Sequence, residues 1–265
     1  MKRRDFLALG CLLPAAAVLA APVAAVPAGA GLSLPAAINR AGRLRMLSQR
    51  SAKAWLMLVQ GVLPEKAKSI LEQSVRLFEQ HLSDLKTLQP NDEVRAALQT
   101  LDHEWTRARP LLTDIRGDAK VVWAGSETLL ALAQKLVVAY EKVAGTPAGH
   151  LVNLSGRQRM LSQRMAKAYF FRQAGVNAVQ AGEMLDAAQQ EFAKAHEELK
   201  AAPQNSAQIR AELALVEQQW FFFQNALSLR DAADRKKAMS DVATTSERIL
   251  EQMDAVVALY EKAAG

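Results

Sequence analysis

The sequence predicts an all-α protein made of two tandem antiparallel up-down-up-down four-helix bundles. Apolar residues recur at helical spacing, as in Leu129, Leu132 and Leu136. Half of the 265 residues are hydrophobic, whereas only 13 are Gly and 9 are Pro, a composition that favours helices over sheets or disorder. One thirteen-residue stretch occurs twice, as GRLRMLSQRSAKA at 42–54 and GRQRMLSQRMAKA at 156–168, which indicates an internal duplication.

The first element is predicted to be a twin-arginine-type signal peptide over residues 1–30. Arg3 and Arg4 precede an apolar stretch rich in Leu, Ala and Val, and small residues suited to cleavage follow. We therefore expect export to the periplasm. The alternatives are an uncleaved membrane anchor and a lipoprotein formed on Cys11, the only cysteine in the chain. If the segment is removed, no disulfide and no cysteine metal ligand remains.

The rest of the chain is predicted to form a first bundle at 31–145, a linker at 146–150 and a second bundle at 151–265. The two halves align without gaps over their first fifty residues, and small loop insertions then shift the alignment, so that Trp105 pairs with Trp220. We expect both tryptophans to lie in the core. The duplication spans nearly the whole of the chain after the signal segment.

Each half is predicted to contain four helices. In the first half, helix 1 covers about 35–60 and helix 2 starts near Pro64, a favoured first-turn proline. A third helix at about 91–115 follows Pro90-Asn91, and a break at 116–118 precedes a fourth helix that ends at Gly145. Four helices of this length joined by short loops favour an up-down-up-down bundle.

The second half repeats the pattern, with breaks predicted at 175–177, at 203–206 and somewhere within 231–240. The last break is poorly marked in the sequence. The final two helices could therefore be longer than their counterparts in the first half.

The repeated stretch predicts a ligand site around Arg45 and Arg159. On a helical wheel, the residues within about 60° of each arginine are mostly small or polar. Small residues let a second helix approach closely, and a guanidinium offers five donors in a planar fork. With no carboxylate on this face in either copy, we expect a small planar or tetrahedral oxyanion rather than an internal salt bridge. The predicted ligand-binding residues are Arg45, Arg159, Ser48, Ser162, Gln49, Gln163, Gly42 and Gly156.

Other polar residues of the stretch are given structural roles. Arg43, Arg50 and Lys53 fall on the other side of the helix, where a solvated basic face or local ion pairs are expected. Asn39 is predicted to cap the start of its helix.

The segments INRAGRLRMLSQR and VNLSGRQRMLSQR resemble the signature of PilJ/NarX-like periplasmic sensor domains. These are the domains of type IV pilus methyl-accepting chemotaxis transducers and of nitrate/nitrite sensor kinases. For the nitrate sensors, the resemblance implies that the arginine of the Leu-Arg-Met segment binds the anion at a symmetric helix–helix interface. That position is Arg45 here, and it is Arg159 in the second copy, where Gln158 replaces the leucine. Leu47-Ser48-Gln49 departs from the nitrate signature, which is more polar and includes an aromatic residue.

These observations predict an exported stand-alone sensor that binds a nitrate/nitrite-like oxyanion and signals to a periplasmic or membrane partner. No apolar run long enough to span a bilayer is expected after residue 30. Two arrangements remain open: Arg45 and Arg159 pair within one molecule, or each meets its mate in a homodimer. The alternative function is a non-sensing periplasmic helical scaffold or adaptor.

Other classes of function are not predicted. The four histidines have no metal-ligand spacing and no Ser–His–Asp arrangement can be argued, so we expect no enzyme activity, no metal and no cofactor. The net charge is +6, but no basic run interleaves with aromatic residues, and nucleic-acid binding is not expected.

Overall fold

The structure is a computed structural model that describes residues 31–228 and 235–264. Within these ranges the chain folds into eight α-helices and contains no strand, which confirms the all-α class. The predicted signal segment, and the first part of the predicted break within 231–240, lie outside the described residues. The helices are α1 (Leu34–Val59), α2 (Pro64–Leu85), α3 (Asp92–Thr113), α4 (Ala119–Ala144), α5 (Pro147–Gln173), α6 (Ala178–Ala201), α7 (Ala207–Ser228) and α8 (Arg235–Ala264).

The two repeats begin with matching helix caps. Ser33 caps α1 and Thr146 caps α5, each accepting a hydrogen bond from a backbone N–H three residues later, and each helix has a proline in its first turn. The prediction that Asn39 caps the first helix is therefore wrong. Asn39 lies in the sixth position of α1, and its counterpart Asn153 lies inside α5.

The connection between the repeats is shorter than the linker predicted at 146–150. Gly145 ends α4 with a φ of +59°, a left-handed conformation that glycine adopts without steric cost. Pro147 already belongs to α5. Most of the predicted linker is therefore the first turn of a helix.

The helices pack in the same way in both repeats. In the first, α1 packs on α2 and α4, and α3 packs on α4; in the second, α5 packs on α6 and α8, and α7 packs on α8. The two repeats meet chiefly through α1 and α5, and the chain from Gly31 onward forms one compact unit. The two copies of the repeated stretch thus face each other at the centre of the molecule.

The outer helices are held by aromatic stacking that recurs in both repeats. Trp105 of α3 stacks on Phe78 of α2 with ring centroids 3.9 Å apart, and Trp220 of α7 stacks on Phe192 of α6 at 4.4 Å. Both tryptophans are buried, as the sequence predicted. Such pairs stabilise a core by about 1 kcal/mol beyond the burial of their area.

One helix among the described residues, α4, is long and apolar enough to cross a membrane by length and composition. The expectation that no such run follows residue 30 was therefore too strict. A core helix of a helical bundle meets the same test. Leu129, Ala133 and Leu136 of α4 are buried, and the helix packs between α1 and α3.

Candidate functional site

Arg45 of α1 and Arg159 of α5 meet within one chain. Both side chains are completely buried. A Cβ placed on Gly42 would stand 3.3 Å from Nη2 of Arg45 and 3.7 Å from Nη2 of Arg159. The two Nη2 atoms can be no further apart than the sum of these distances, about 7 Å. At that separation the two guanidinium groups repel each other.

The two glycines make room for this convergence. A Cβ on Gly156 would stand 3.3 Å from Nη2 of Arg159 and 3.6 Å from Nη2 of Arg45, which mirrors the surroundings of Gly42. A methyl group at either position would press on a guanidinium. Glycine at these positions therefore allows each arginine to turn into the space between the helices.

The hydrogen-bond partners of Arg45 among the described residues are neutral. Its Nη1 donates to Oε1 of Gln134 on α4 at 2.6 Å, and its Nη2 donates to the backbone oxygen of Asn153 at 3.3 Å. Its Nε has no partner, and within the described residues no carboxylate oxygen lies within 4.0 Å of this guanidinium. Burial, assisted by Arg157 and Arg159, lowers the pKa of Arg45 to about 9. Within the part of the chain that the structure describes, Arg45 is thus a buried cation without a direct counterion.

Arg159 differs because it has a carboxylate partner. Its Nη1 donates to Oδ1 of Asp254 on α8 at 2.7 Å, and its Nη2 donates to Oδ1 of Asn39 at 2.6 Å. Asp254 also pairs with Arg43 at 3.1 Å. Burial lowers the pKa of Arg159, and Asp254 opposes the shift. The expectation of no internal salt bridge is wrong for Arg159, because the carboxylate comes from another helix that a wheel of α5 alone does not include.

Two asparagines missed by the sequence reading complete the site. Asn39 donates its side-chain N–H to Glu261, and Asn153 donates its own to Glu141. Each asparagine therefore lies between a buried arginine and an outer carboxylate. The signal available in the sequence was that Asn39 and Asn153 occupy matching positions in the two repeats.

The predicted serines and glutamines make their hydrogen bonds elsewhere. The hydroxyls of Ser48 and Ser162 donate to backbone oxygens in the preceding turn of their own helices, at 2.7 and 2.8 Å. Gln49 and Gln163 donate to the backbone of α4 and α8, at 3.1 and 2.8 Å. Of the eight predicted ligand-binding residues, the structure places the two arginines and the two glycines around one point.

A second polar layer lies about one to two turns beyond Arg45 and Arg159 toward the C-terminal ends of α1 and α5. Nζ of Lys53 donates to Oε1 of Glu247 at 2.6 Å, to Oε1 of Gln163 at 2.7 Å and to the hydroxyl of Ser246 at 3.1 Å. These partners lie on α5 and α8, in the other repeat. Because the contacts descend both helices together from the glycines to this layer, α1 and α5 run parallel.

Lys167 makes the corresponding set of contacts to residues of the first repeat. Its Nζ donates to Oε1 of Glu127 at 2.6 Å, to the hydroxyl of Ser126 at 2.7 Å and to Oε1 of Gln49 at 3.1 Å. It also lies 4.3 Å from the ring centroid of Trp123, within cation–π range. Two matching charge networks therefore flank the interface between the repeats.

The solvated face predicted for Arg50 and Lys53 is wrong. Lys53 is fully buried and Arg50 is 8% exposed, because α1 is covered by helices of both repeats. Both cations bind Glu247, whose closest contacts are 2.5 Å to Arg50 and 2.6 Å to Lys53. Burial lowers the pKa of Lys53 to about 8; burial would raise that of Glu247, but the two cations outweigh it and hold the pKa at about 2. The predicted ion pairs exist, although they join distant parts of the chain.

The chain resembles one known family over both repeats. The family model described as "Type IV pili methyl-accepting chemotaxis transducer N-term" matches residues 32–136 and 146–242. These two segments correspond to the two halves of the duplication. No curated protein matches the chain, and no solved structure matches it. The matched segments contain both arginines and the helices that carry them.

Proposed function

Because the chain belongs to the family of the type IV pili methyl-accepting chemotaxis transducer N-terminal domain, we propose that it is a sensory domain that binds a small oxyanion between α1 and α5. The proposed ligand is of the nitrate/nitrite type, and no catalysis is involved. The observation that carries the proposal is the convergence of two buried guanidinium groups on paired glycines, one of them without a carboxylate partner among the described residues.

Electrostatics favours an anion at this point. At effective dielectric constants between those of a protein surface and water, two unit charges 7 Å apart repel by roughly 0.5–2.5 kcal/mol. Arg45 adds the desolvation cost of a buried cation whose partners are amide oxygens. An oxyanion that accepts from Nη2 of both arginines converts the repulsion into attraction on two sides, through charge-assisted hydrogen bonds.

Anion binding at this interface provides a route for a signal. Gln134 of α4 and Asp254 of α8 hold the two arginines, so a change in arginine position is transmitted directly to both helices. An anion that binds one arrangement of α1 and α5 more tightly shifts the population toward it. We propose that a periplasmic or membrane partner reads this change. Export through a twin-arginine signal in residues 1–30 is part of the same proposal.

Thermal unfolding in the presence of anions tests the proposed function. Nitrate, nitrite, sulfate, phosphate and acetate are compared with chloride at constant ionic strength. A ligand that binds only the folded state adds about 2.7 kcal/mol of stability at a hundredfold excess over its Kd. Arg45→Gln and Arg159→Gln should each reduce the shift in Tm, whereas Arg95→Gln, a control at an exposed arginine, should not. A Tm that no anion raises above chloride would refute the proposal.

The competing proposal is a non-sensing helical scaffold or adaptor. It draws support from the hydrogen bonds that already engage both Nη atoms of each arginine, because packing alone then accounts for these side chains. It predicts that Arg45→Met and Arg159→Met retain or raise the Tm and that added nitrate changes neither protein.

A further inference from the structure

Each repeat contributes one arm to the arginine site, which consists of a buried arginine and the side chain that accepts from its Nη1 atom. The two arms differ at one residue. Gln134 and Asp254 each accept a hydrogen bond from Nη1 of the buried arginine in their own repeat, at 2.6 and 2.7 Å. They lie 120 residues apart, as do the neighbouring pairs Ser126/Ser246 and Glu141/Glu261, whose members are identical. The duplicated site therefore has an amide on one side where it has a carboxylate on the other.

We propose that Asp254 is a specificity-determining residue that restricts the site to singly charged anions. This inference rests on the proposed function and concerns the charge of the ligand. Among the described residues, the two fully buried guanidinium groups have one direct carboxylate partner, Asp254, whose side chain is about a third exposed, so one positive charge is left to be balanced. A monoanion balances it. A dianion would leave an uncompensated negative charge in a buried place, which is costly.

Two nearby carboxylates act in the same direction, while the nearby cation Arg157 is paired with Glu191. Glu261 and Glu141 lie directly behind Asn39 and Asn153, and both carboxylates disfavour a second negative charge at the glycines. Arg43 pairs with the same Oδ1 atom of Asp254, and about a quarter of its side chain is exposed. Solvent therefore screens Arg43, and the 32% exposed Asp254 as well, more than it screens the two buried arginines.

The hydrogen bonds indicate where the oxygens of a ligand would bind. Nη2 of Arg45 and Nη2 of Arg159 face the glycines, and their present acceptors are the backbone oxygen of Asn153 at 3.3 Å and the side-chain oxygen of Asn39 at 2.6 Å. An anion takes the place of these neutral acceptors and leaves the Asp254 pair intact. The carboxylate is thus a fixed charge during binding.

Asp254→Gln tests this role by making the second arm identical in side-chain type to the first. Binding of nitrate and of sulfate is measured by titration calorimetry at constant ionic strength. We expect the wild type to bind nitrate more tightly than sulfate, and the variant to shift the ratio of their Kd values toward sulfate by about tenfold or more, which is 1.4 kcal/mol. Asp241→Gln removes one carboxylate from the same helix at an exposed pair with Lys237, and it should leave the ratio unchanged.

Gln134→Glu provides the reverse test and does not remove the partner of Arg159. A second carboxylate would balance both arginines, so nitrate affinity should fall by about tenfold or more while the Tm is maintained. An unchanged nitrate-to-sulfate ratio in Asp254→Gln, or full nitrate affinity in Gln134→Glu, overturns the inference and leaves the proposed function standing. A wild type that binds neither nitrate nor sulfate, and whose Tm none of the tested anions raises above chloride, overturns both.

Discussion

Removing Glu247 should destabilise the protein more than removing Lys53, although the two side chains form one ion pair. Lys53→Met deletes a buried cation and three hydrogen bonds, but Glu247 keeps Arg50, which contacts it through Nε and Nη2 at 2.5–3.2 Å. Glu247→Gln instead leaves two cations without their counterion, one fully buried and one nearly so.

The size of the difference follows from the cost of an unpaired buried charge. Breaking a buried pair so that one charge remains uncompensated costs about 3–5 kcal/mol, and we expect Glu247→Gln in this range. For Lys53→Met we expect about 1–3 kcal/mol, because methionine fills most of the volume and the remaining carboxylate is still paired. Glu127→Gln and Lys167→Met in the matching network should show the same order, since Arg164 there corresponds to Arg50.

Equilibrium unfolding in urea at pH 7, followed by circular dichroism, measures these differences in the free energy of unfolding. Lys142→Met is the control, because Lys142 forms an exposed pair with Glu93 and its loss should change little. The acid dependence provides a second measurement. The lowered pKa of Glu247 contributes stability that is complete above about pH 4.5 and is lost as the pH falls toward 2. Glu247→Gln should remove this part of the acid dependence. Equal costs for Glu247→Gln and Lys53→Met, or costs no larger than that of Lys142→Met, would refute the reasoning.

Three further predictions concern single residues. Gly42→Ala places a methyl group 3.3 Å from Nη2 of Arg45 and should weaken nitrate binding by about tenfold in calorimetry, whereas Gly125→Ala, with its nearest contact at 3.9 Å, should not. Burial lowers the pKa of His81 to about 4, against the effect of Asp84 at 4.0 Å, and the ring nitrogens have no hydrogen-bond partner. The free energy of unfolding should therefore decrease as the pH falls from about 6.5 to 4. His81→Leu should reduce that decrease by about 2 kcal/mol, and an acid titration of the variant that still matches the wild type would contradict this. Hydrogen bonds to Glu141 and Glu198 raise the pKa of His150. The stability that protonated His150 contributes is therefore complete below about pH 6.5 and is lost as the pH rises through its folded-state pKa. In His150→Gln the Tm should not show this loss with rising pH.

The fold could be predicted closely because its signals are local. Pro64 opens α2, Asn91 caps α3 and Gly145 ends α4, and each of these residues acts on its own turn of backbone. Apolar spacing within a helix then gives the buried face. These signals do not indicate which helices of the two repeats touch, so the sequence left open whether α1 packs against α5 of the same chain or against its mate in a homodimer.

The candidate site was predicted only in part for the same reason. Arg45 and Gly42 share a face of one helix, and the repeat singled them out. Lys53 was assigned to a solvated surface because its partner Glu247 lies 194 residues further along the chain. A wheel of one helix shows which residues share a face, but it does not show that a second repeat covers the opposite face as well.

Covalent duplication has a consequence that separates this protein from a homodimer with the same interface. In a two-fold symmetric dimer the same residue must stand on both sides, whereas here Gln134 and Asp254 differ. Because Arg45 and Arg159 meet within one chain, assembly of the site costs no association entropy and does not depend on protein concentration. We therefore predict that the Kd for nitrate stays constant when the protein is diluted a hundredfold and remains monomeric by sedimentation. A Kd that rises on dilution, together with a concentration-dependent sedimentation coefficient, would show that the site needs a second molecule.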